Sequence, residues 1–158
     1  MGFKLSTTPI DAPALTTQLS HAGAGACVTF EGWVRDSNDD RKVNLLEYEA
    51  FAVLADREGE RIVDEARRQF AVIAVDCVHR VGSLKIGEIA VWVGVASAHR
   101  GAAFDACRYV IDEVKARVPI WKKEHYVEGA SEWINCATIS RGLDGEIGHE
   151  EPREKSTT

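Results

Sequence analysis

The stretch that most constrains the fold runs through residues 89–124. It opens with an apolar run rich in valine, turns through a short polar corner at residues 97–101, and continues with apolar residues at helical spacing as far as Pro119. The run predicts a buried strand, and the three-and-four spacing after it predicts an amphipathic helix. Because proline cannot continue a helix, we expect a strand, a tight corner and a helix that ends before Pro119.

The corner places two basic residues, His99 and Arg100, at the predicted start of this helix. The first turn of a helix has unpaired backbone N–H groups and partial positive charge, which disfavours cations unless an anion binds beside them. Phosphate is the commonest candidate. Two interpretations stay open: an anion site, or an Arg100 that pairs with a carboxylate beside a His99 that makes one structural hydrogen bond.

The predicted helix has one core-facing stripe and a cluster of lysines near its end. We expect the stripe to contain Phe104, Cys107, Ile111, Val114 and Val118. Lys115 follows Phe104 by eleven residues, and at about 100° per residue this places it on the flank of the stripe, half-buried. Lys122 and Lys123 follow beside a tryptophan. Such lysines often only extend their stems over apolar surface, but a partly buried lysine is also a candidate acid, base or nucleophile.

The composition indicates one soluble domain. The 158 residues are 45% hydrophobic and 28% charged, which suffices for a single core. We expect one domain over residues 1–140 and a charged tail over residues 141–158 that is too poor in apolar residues to fold alone. No stretch has the length of a membrane span and the start lacks a signal-peptide pattern, so we expect a cytoplasmic protein. The net charge of −6 argues against a general nucleic-acid binder.

The cysteine pattern favours neither disulfides nor a metal site. The four cysteines are widely spaced, with no C-x-x-C pair and no histidine at zinc-ligand spacing. We expect three of them, Cys27, Cys77 and Cys107, to be small buried hydrophobes. For Cys136 two interpretations stay open, an ordinary thiol or one that carries a persulfide, although nothing nearby in the sequence indicates an activated thiol.

The remaining patterns predict an α+β domain. We predict strands over residues 3–8, 26–35, 43–49 and 72–81, a short helix capped by Asp11, and a long helix over residues 53–70 with Leu54, Ile62, Ala66 and Phe70 in the core. Gly32 indicates a bulge or a close backbone approach, residues 36–42 a mobile loop, and residues 82–88 a hairpin connection. Together these elements predict a mainly antiparallel sheet with helices packed on one side.

Two arginine-containing positions at strand ends have alternative interpretations. Arg35 stands where a strand meets the polar loop, and it is either a solvated strand end or a guanidinium that binds phosphate. His79 and Arg80 close another strand. For them the favoured interpretation is strand packing or a subunit contact.

An ordered set of motifs resembles the catalytic large subunit of molybdopterin synthase. The motifs are, in chain order, TFEGWVR at 29–35, LEYEA at 46–50, IVDEA at 62–66, VHRVG at 78–82, SAHR at 97–100 and K-x-R-x-P-I-W-K-K-E at 115–124. Each is weak alone, but their order over roughly residues 26–133 is specific. One departure concerns the basic residue that often follows the tryptophan matching Trp133. It is missing here, or its contact is supplied by Arg141.

This resemblance implies a fold, a reaction and a set of partners. The fold would be α/β hammerhead-type with an additional small sheet, in a homodimer that carries a small ubiquitin-like sulfur-carrier subunit at each end, as a heterotetramer. The reaction would convert cyclic pyranopterin monophosphate to molybdopterin, with two sulfurs supplied by the thiocarboxylate at the carrier's C-terminal Gly-Gly. A carrier-borne sulfur would leave the chain without need of a cofactor, a metal or a catalytic cysteine.

The resemblance also implies roles for six residues. Lys115 and Lys122 would be catalytic, flanking the thiocarboxylate, stabilising charge on sulfur and oxygen and transferring protons. His99, Arg100 and Arg35 would bind the phosphate, with Arg35 supplied by the dimer partner or a neighbouring strand. Lys123 would be a substrate-binding charge at the rim.

Two other classes of function remain open from the residues. One is a non-catalytic module that binds a phosphorylated metabolite and a protein partner. The other is a Schiff-base enzyme, such as a small aldolase, which the expected partial burial of Lys115 would suit.

Overall fold

The computed structural model describes residues 1–137, which form two β-sheets and three helices. The predicted tail and Arg141 lie outside the described residues. In chain order the elements are β1 Phe3–Ser6, α1 Ala12–Gln18, β2 Ala26–Trp33, β3 Ser37–Asn38, β4 Arg41–Ala50, α2 Ala52–Gln69, β5 Ala74–Arg80, β6 Gly82–Lys85, β7 Ile89–Ser97, α3 Arg100–Arg117, β8 Ile120–Tyr126 and β9 Trp133–Asn135.

The first sheet has the strand order β1-β5-β7-β2. Strand β1 is parallel to β5, and the other pairings are antiparallel. The register between β2 and β7 shifts between Gly32 and Trp33, and a Cβ atom on Gly32 would lie 2.8 Å from Cγ1 of Val91. The bulge predicted at Gly32 is therefore confirmed, and the close approach of β7 explains why a glycine occupies the position.

The second sheet has the order β3-β4-β8-β9, with β6 also paired to β4. Two predicted loops contribute to it. Residues 36–42 contain a tight β3–β4 hairpin, whose two turn residues Asp39 and Asp40 have φ angles of 48° and 62°. Residues 82–88 contain β6, which crosses from the first sheet to pair with β4 in the second. Short polar segments gave no periodicity from which these strands could be predicted.

The main core lies between the first sheet and the two long helices. Ile62 and Ala66 of α2 and Val110 and Val114 of α3 pack here against valines of the central strands. The short α1 covers the opposite face, where a second cluster surrounds the fully buried Trp92. The α+β architecture with mainly antiparallel sheets is confirmed, with both long helices on one side and only α1 on the other.

Three predictions of burial are wrong. Phe104 is 59% exposed and Leu54 is 47% exposed, because the buried face of each helix begins one position away, at Ala103 and Ala55. Alanines at these positions let the helices approach the sheet closely, and the larger neighbours are displaced to the edge of the interface. Cys27 is also exposed, because it faces outward on the edge strand β2.

No helix within residues 1–137 combines the length and the apolar character needed to cross a membrane.

Candidate functional site

Two adjoining cavities lie where the end of α3 meets β8 and the end of β2. The first encloses about 180 Å³ and the second about 120 Å³. Four side chains line both cavities: Trp33, Tyr48, Lys115 and Lys122. The two lysines predicted from sequence to be catalytic therefore belong to one site, although one is supplied by a helix and the other by a strand.

Lys115 and Lys122 reach the cavities because of the break at Pro119. Lys115 lies in the last turn of α3, which ends at Arg117, and the chain then extends directly into β8. Lys122 is paired with Tyr48 across the β4–β8 ladder, and its side chain is only 19% exposed. Lys115, in contrast, is exposed, so the prediction of a half-buried Lys115 is wrong. This removes the feature that favoured a Schiff-base enzyme.

The ammonium group of Lys122 is held by a buried carboxylate, Glu124. Nζ of Lys122 donates to Oε1 of Glu124 at 3.1 Å, while the Tyr126 hydroxyl and the Asn38 amide donate to Oε2 at 2.6 and 2.8 Å. Burial raises the pKa of Glu124, but these hydrogen bonds outweigh it and hold the pKa below its ordinary value. Glu124 thus stays ionised at neutral pH and fixes Lys122 at the cavity wall.

Arg35 lies beside the same lysines. It lines the second cavity together with Ser37 and Glu124, at the point where β2 leads into the β3–β4 hairpin. Of the two expected sources of this arginine, a dimer partner or a neighbouring strand, the arrangement within one chain fits the neighbouring strand. The chain's own β2 places Arg35 next to Lys115 and Lys122.

His99 and Arg100 do not reach this site within one chain. They stand exposed at the start of α3, whereas Lys115 lies fifteen residues later, which is about 22 Å along the helix axis at 1.5 Å per residue. The family resemblance grouped these residues with the lysines. The length of α3 separates them.

Lys123 points away from the cavities. Successive side chains of β8 alternate between the two faces of the sheet, so Lys123 shares its face with Glu47 and His125. Its Nζ lies 5.6 Å from the ring centroid of Trp133. Hydrogen bonding from His125 lowers the pKa of Glu47 against the effect of burial, and the charge of Lys123 contributes. Nothing in this arrangement brings Lys123 to the substrate cavities.

Two residues of the first cavity, the buried His79 and the half-buried Tyr48, carry polar groups that were assigned from the sequence to packing or were not considered. His79, at the end of β5, is 7% exposed and lies edge-on to the ring of Tyr48, with 5.0 Å between centroids. Burial raises the pKa of Tyr48. Burial, and to a smaller extent the nearby charge of Lys115, lowers the pKa of His79 to about 4, and a hydrogen bond to the Arg80 carbonyl only partly opposes this. In the sequence, the VHRVG motif at residues 78–82 was the feature that could have marked His79 as a candidate site residue.

Cys136 also lines the first cavity, near the two lysines. Burial raises the pKa of its thiol, and the charges of Lys122 and Lys115 only partly oppose this. The thiol is thus no better a nucleophile than an ordinary cysteine. Within residues 1–137, no cluster of three or more histidine, cysteine or acidic side chains is arranged to hold a metal ion.

The fold and the site together define an α+β protein with a lysine-lined pocket suited to an anionic small molecule. A family model described as MoaE protein matches residues 5–117 of this chain. A relative from Thermoplasma volcanium, named molybdopterin synthase catalytic subunit, is 40% identical over 125 residues, which cover 79% of this chain and 89% of the relative. The chain belongs to the MoaE family, and the resemblance found in its motifs is confirmed.

Solved structures agree with this assignment. The crystal structure of molybdopterin synthase from Staphylococcus aureus has a TM-score of 0.79 and 36% identity, and the match covers 84% of this chain and 96% of that one. A complex of subunits 1 and 2 of molybdopterin-converting factor from Helicobacter pylori has a TM-score of 0.68 over 84% of this chain and 88% of that one. At 20% identity the latter shows a likeness of fold alone.

Proposed function

We propose that this chain is the catalytic subunit of a molybdopterin synthase. It converts cyclic pyranopterin monophosphate to molybdopterin, taking two sulfurs in turn from the C-terminal thiocarboxylate of a small ubiquitin-like carrier protein. The reaction takes place in the cytoplasm. Family membership supports the reaction class, and the observation that carries the proposal for this chain is that Lys115 and Lys122 line two adjoining cavities at once.

The two-cavity arrangement suits a reaction between a small molecule and a protein terminus. A Gly-Gly terminus has no side chains and therefore fits a narrow cavity, while the pyranopterin occupies the adjoining one. Both lysines then contact the point at which sulfur meets the substrate carbon. Their ammonium groups stabilise negative charge on the thiocarboxylate and exchange protons as carbon is attacked.

The phosphate of the substrate is bound by the cations around the second cavity. Arg35 presents a planar guanidinium that matches two phosphate oxygens at once. Glu124 lies in the same cavity, but its hydrogen bonds to Lys122, Tyr126 and Asn38 direct its charge away from an incoming anion. Because the charge of Glu124 is taken up in this way, Arg35 can serve as the phosphate ligand that the chain itself supplies.

A homodimer accounts for His99 and Arg100. Strand β2 is an edge of the first sheet, and a groove of about 590 Å³ that includes the exposed Phe104 runs between it and α3. Exposed strand edges and apolar grooves are surfaces that another chain covers. Because α3 runs parallel to β2, antiparallel pairing of two β2 strands would bring the start of one α3 towards the end of the other. His99 and Arg100 of one copy would then approach Lys115 of its partner.

The test is to mix the purified chain with a thiocarboxylated carrier and cyclic pyranopterin monophosphate and to measure molybdopterin. The wild type should form product, and Lys115→Ala should lower the rate at least a hundredfold while its thermal unfolding is unchanged. Lys4→Ala, which removes an exposed lysine on β1, is the matched control and should retain full activity.

Two outcomes would count against the proposal. An active, folded Lys115→Ala variant would remove Lys115 from the mechanism. A wild type that binds both the carrier and the pyranopterin but forms no product would instead support the non-catalytic binding module.

A further inference from the structure

The side chain of His79 has one ring nitrogen fixed by the fold. Its Nδ1 lies 2.7 Å from the backbone carbonyl oxygen of Arg80. A carbonyl oxygen can only accept, so Nδ1 carries the proton and donates it. In the neutral ring this leaves Nε2 as an acceptor with a free lone pair.

The second ring nitrogen belongs to the cavity. His79 lines the first cavity together with Lys115 and Lys122, and no residue among positions 1–137 hydrogen-bonds to Nε2. The ring is more than nine-tenths buried and is held on one side by the edge-on contact with Tyr48. A rigid acceptor of this kind is available to a donor group that enters the cavity.

The electrostatics keep His79 neutral. Burial disfavours the imidazolium form, and the charge of Lys115 disfavours it further. Lys115, Lys122 and Arg35 can all only donate hydrogen bonds, so they recognise the anionic parts of a ligand. A pyranopterin also carries ring N–H and hydroxyl donors, and these need an acceptor within the cavity.

We propose that Nε2 of His79 accepts a hydrogen bond from an N–H or O–H group of the pyranopterin and thereby orients it against Lys115. This rests on the function proposed above, because the ligand is the substrate of that reaction. His79 is then a substrate-binding residue. Its backbone contact to Arg80 sets the tautomer, and its packing against Tyr48 sets the direction of the lone pair.

Two amide substitutions separate this role from a purely structural one. In His79→Asn the side-chain amide lies near the position of Nδ1 and can still donate to the Arg80 carbonyl, but nothing replaces Nε2. In His79→Gln the amide oxygen can reach the position of Nε2. We expect His79→Asn to bind cyclic pyranopterin monophosphate at least tenfold more weakly than the wild type, and His79→Gln to stay within about threefold.

The binding experiment uses isothermal titration of the full chain with cyclic pyranopterin monophosphate in the absence of carrier, with thermal unfolding as the check of folding. A structural role for His79 predicts the reverse order, with Asn retaining affinity and Gln losing it, and that order would overturn the proposal. Equal affinity of both variants and the wild type would overturn it as well.

A measurement on the wild type keeps the test independent of variant folding. In ¹⁵N-histidine-labelled protein, the Nε2 resonance of His79 should show an unprotonated nitrogen and should shift upfield when the pyranopterin is added. An Nε2 that does not respond at saturation contradicts the proposal. Binding with a His79 response but without product formation from the carrier would overturn the proposed function alone. A wild type that does not bind the pyranopterin would overturn both.

Discussion

Arg117 ties the two long helices together, and its replacement by methionine should destabilise the protein by a predictable amount. The guanidinium lies 2.6 Å from Oε1 of Glu58 on α2, 2.6 Å from Oε2 of Glu65 on the same helix, and 3.1 Å from Oε2 of Glu113 on α3. Methionine keeps the apolar stem but removes the charge. Glu58 then keeps only its pair with Arg61 at 3.2 Å, and the carboxylates of Glu65 and Glu113 lose the cation between them.

The size of this loss in stability follows from the pKa of Glu65. Hydrogen bonds from Arg117 and then from Tyr109 outweigh burial and hold this pKa at about 2, against 4.5 for an ordinary glutamate. At about 1.4 kcal/mol per pKa unit, the upper bound is about 3–4 kcal/mol. The side chains of Glu65 and Arg117 are 22% and 26% exposed, so solvent screening reduces the expected loss to about 1–2 kcal/mol.

The pH dependence of the unfolding free energy tests this reasoning more sharply than its value at one pH. Because the folded-state pKa is lowered, the contribution of Glu65 is complete above about pH 4.5 and is lost as the pH falls towards 2. Urea unfolding at pH 7 should therefore show the full difference between Arg117→Met and the wild type, and unfolding at pH 3 a smaller one. Arg108→Met, on the exposed side of the same helix, is the control and should change little. An equal difference at both pH values would refute the reasoning.

Two further predictions concern the site and the core. Glu124→Gln should lower the rate of product formation about tenfold and leave substrate affinity little changed, because the neutral amide no longer fixes the charge of Lys122. An unchanged kcat would argue against this role of Glu124. Gly59→Ala should lower the free energy of unfolding by about 1–3 kcal/mol, since its Cβ would lie 2.1 Å from Cγ of Phe3. Gly101→Ala, where a Cβ meets nothing within 4 Å, is the matched control in denaturant unfolding.

The elements with strong periodicity were predictable from sequence. The apolar run of β7, the helical spacing of α3 and the stop at Pro119 each follow from local physical chemistry, and so does the cap of α1, where Asp11 accepts from the backbone N–H of Ala14 at 3.0 Å. The short strands β3 and β6 were not predictable in this way. Strand β3 is only two residues long and offers no alternating pattern, and β6 pairs with a part of β4 that is far away in the chain.

The residues of the candidate site also differ in how far they could be predicted from sequence. Lys115, Lys122 and Arg35 were identified from sequence through a family resemblance, and the structure brings all three to adjoining cavities. His79 was assigned to packing, because the sequence does not show that one ring nitrogen is bound to a backbone carbonyl while the other lies in a cavity. His99 and Arg100 were grouped with the lysines through the same resemblance, although the length of α3 keeps them apart within one chain.

By itself, the sequence determined the helices and long strands, the cation content of the site and the family to which the chain belongs. These depend on residue type and on spacing within one segment, which the linear chain preserves. Only the tertiary structure decided that α3 and β8 present their lysines to two cavities at once, that Glu124 holds Lys122, and that His79 keeps a free acceptor beside them. Such relations depend on side chains from distant segments, such as Asn38 beside Glu124 and His79 beside Lys115, and packing of the sheets against the helices brings them together.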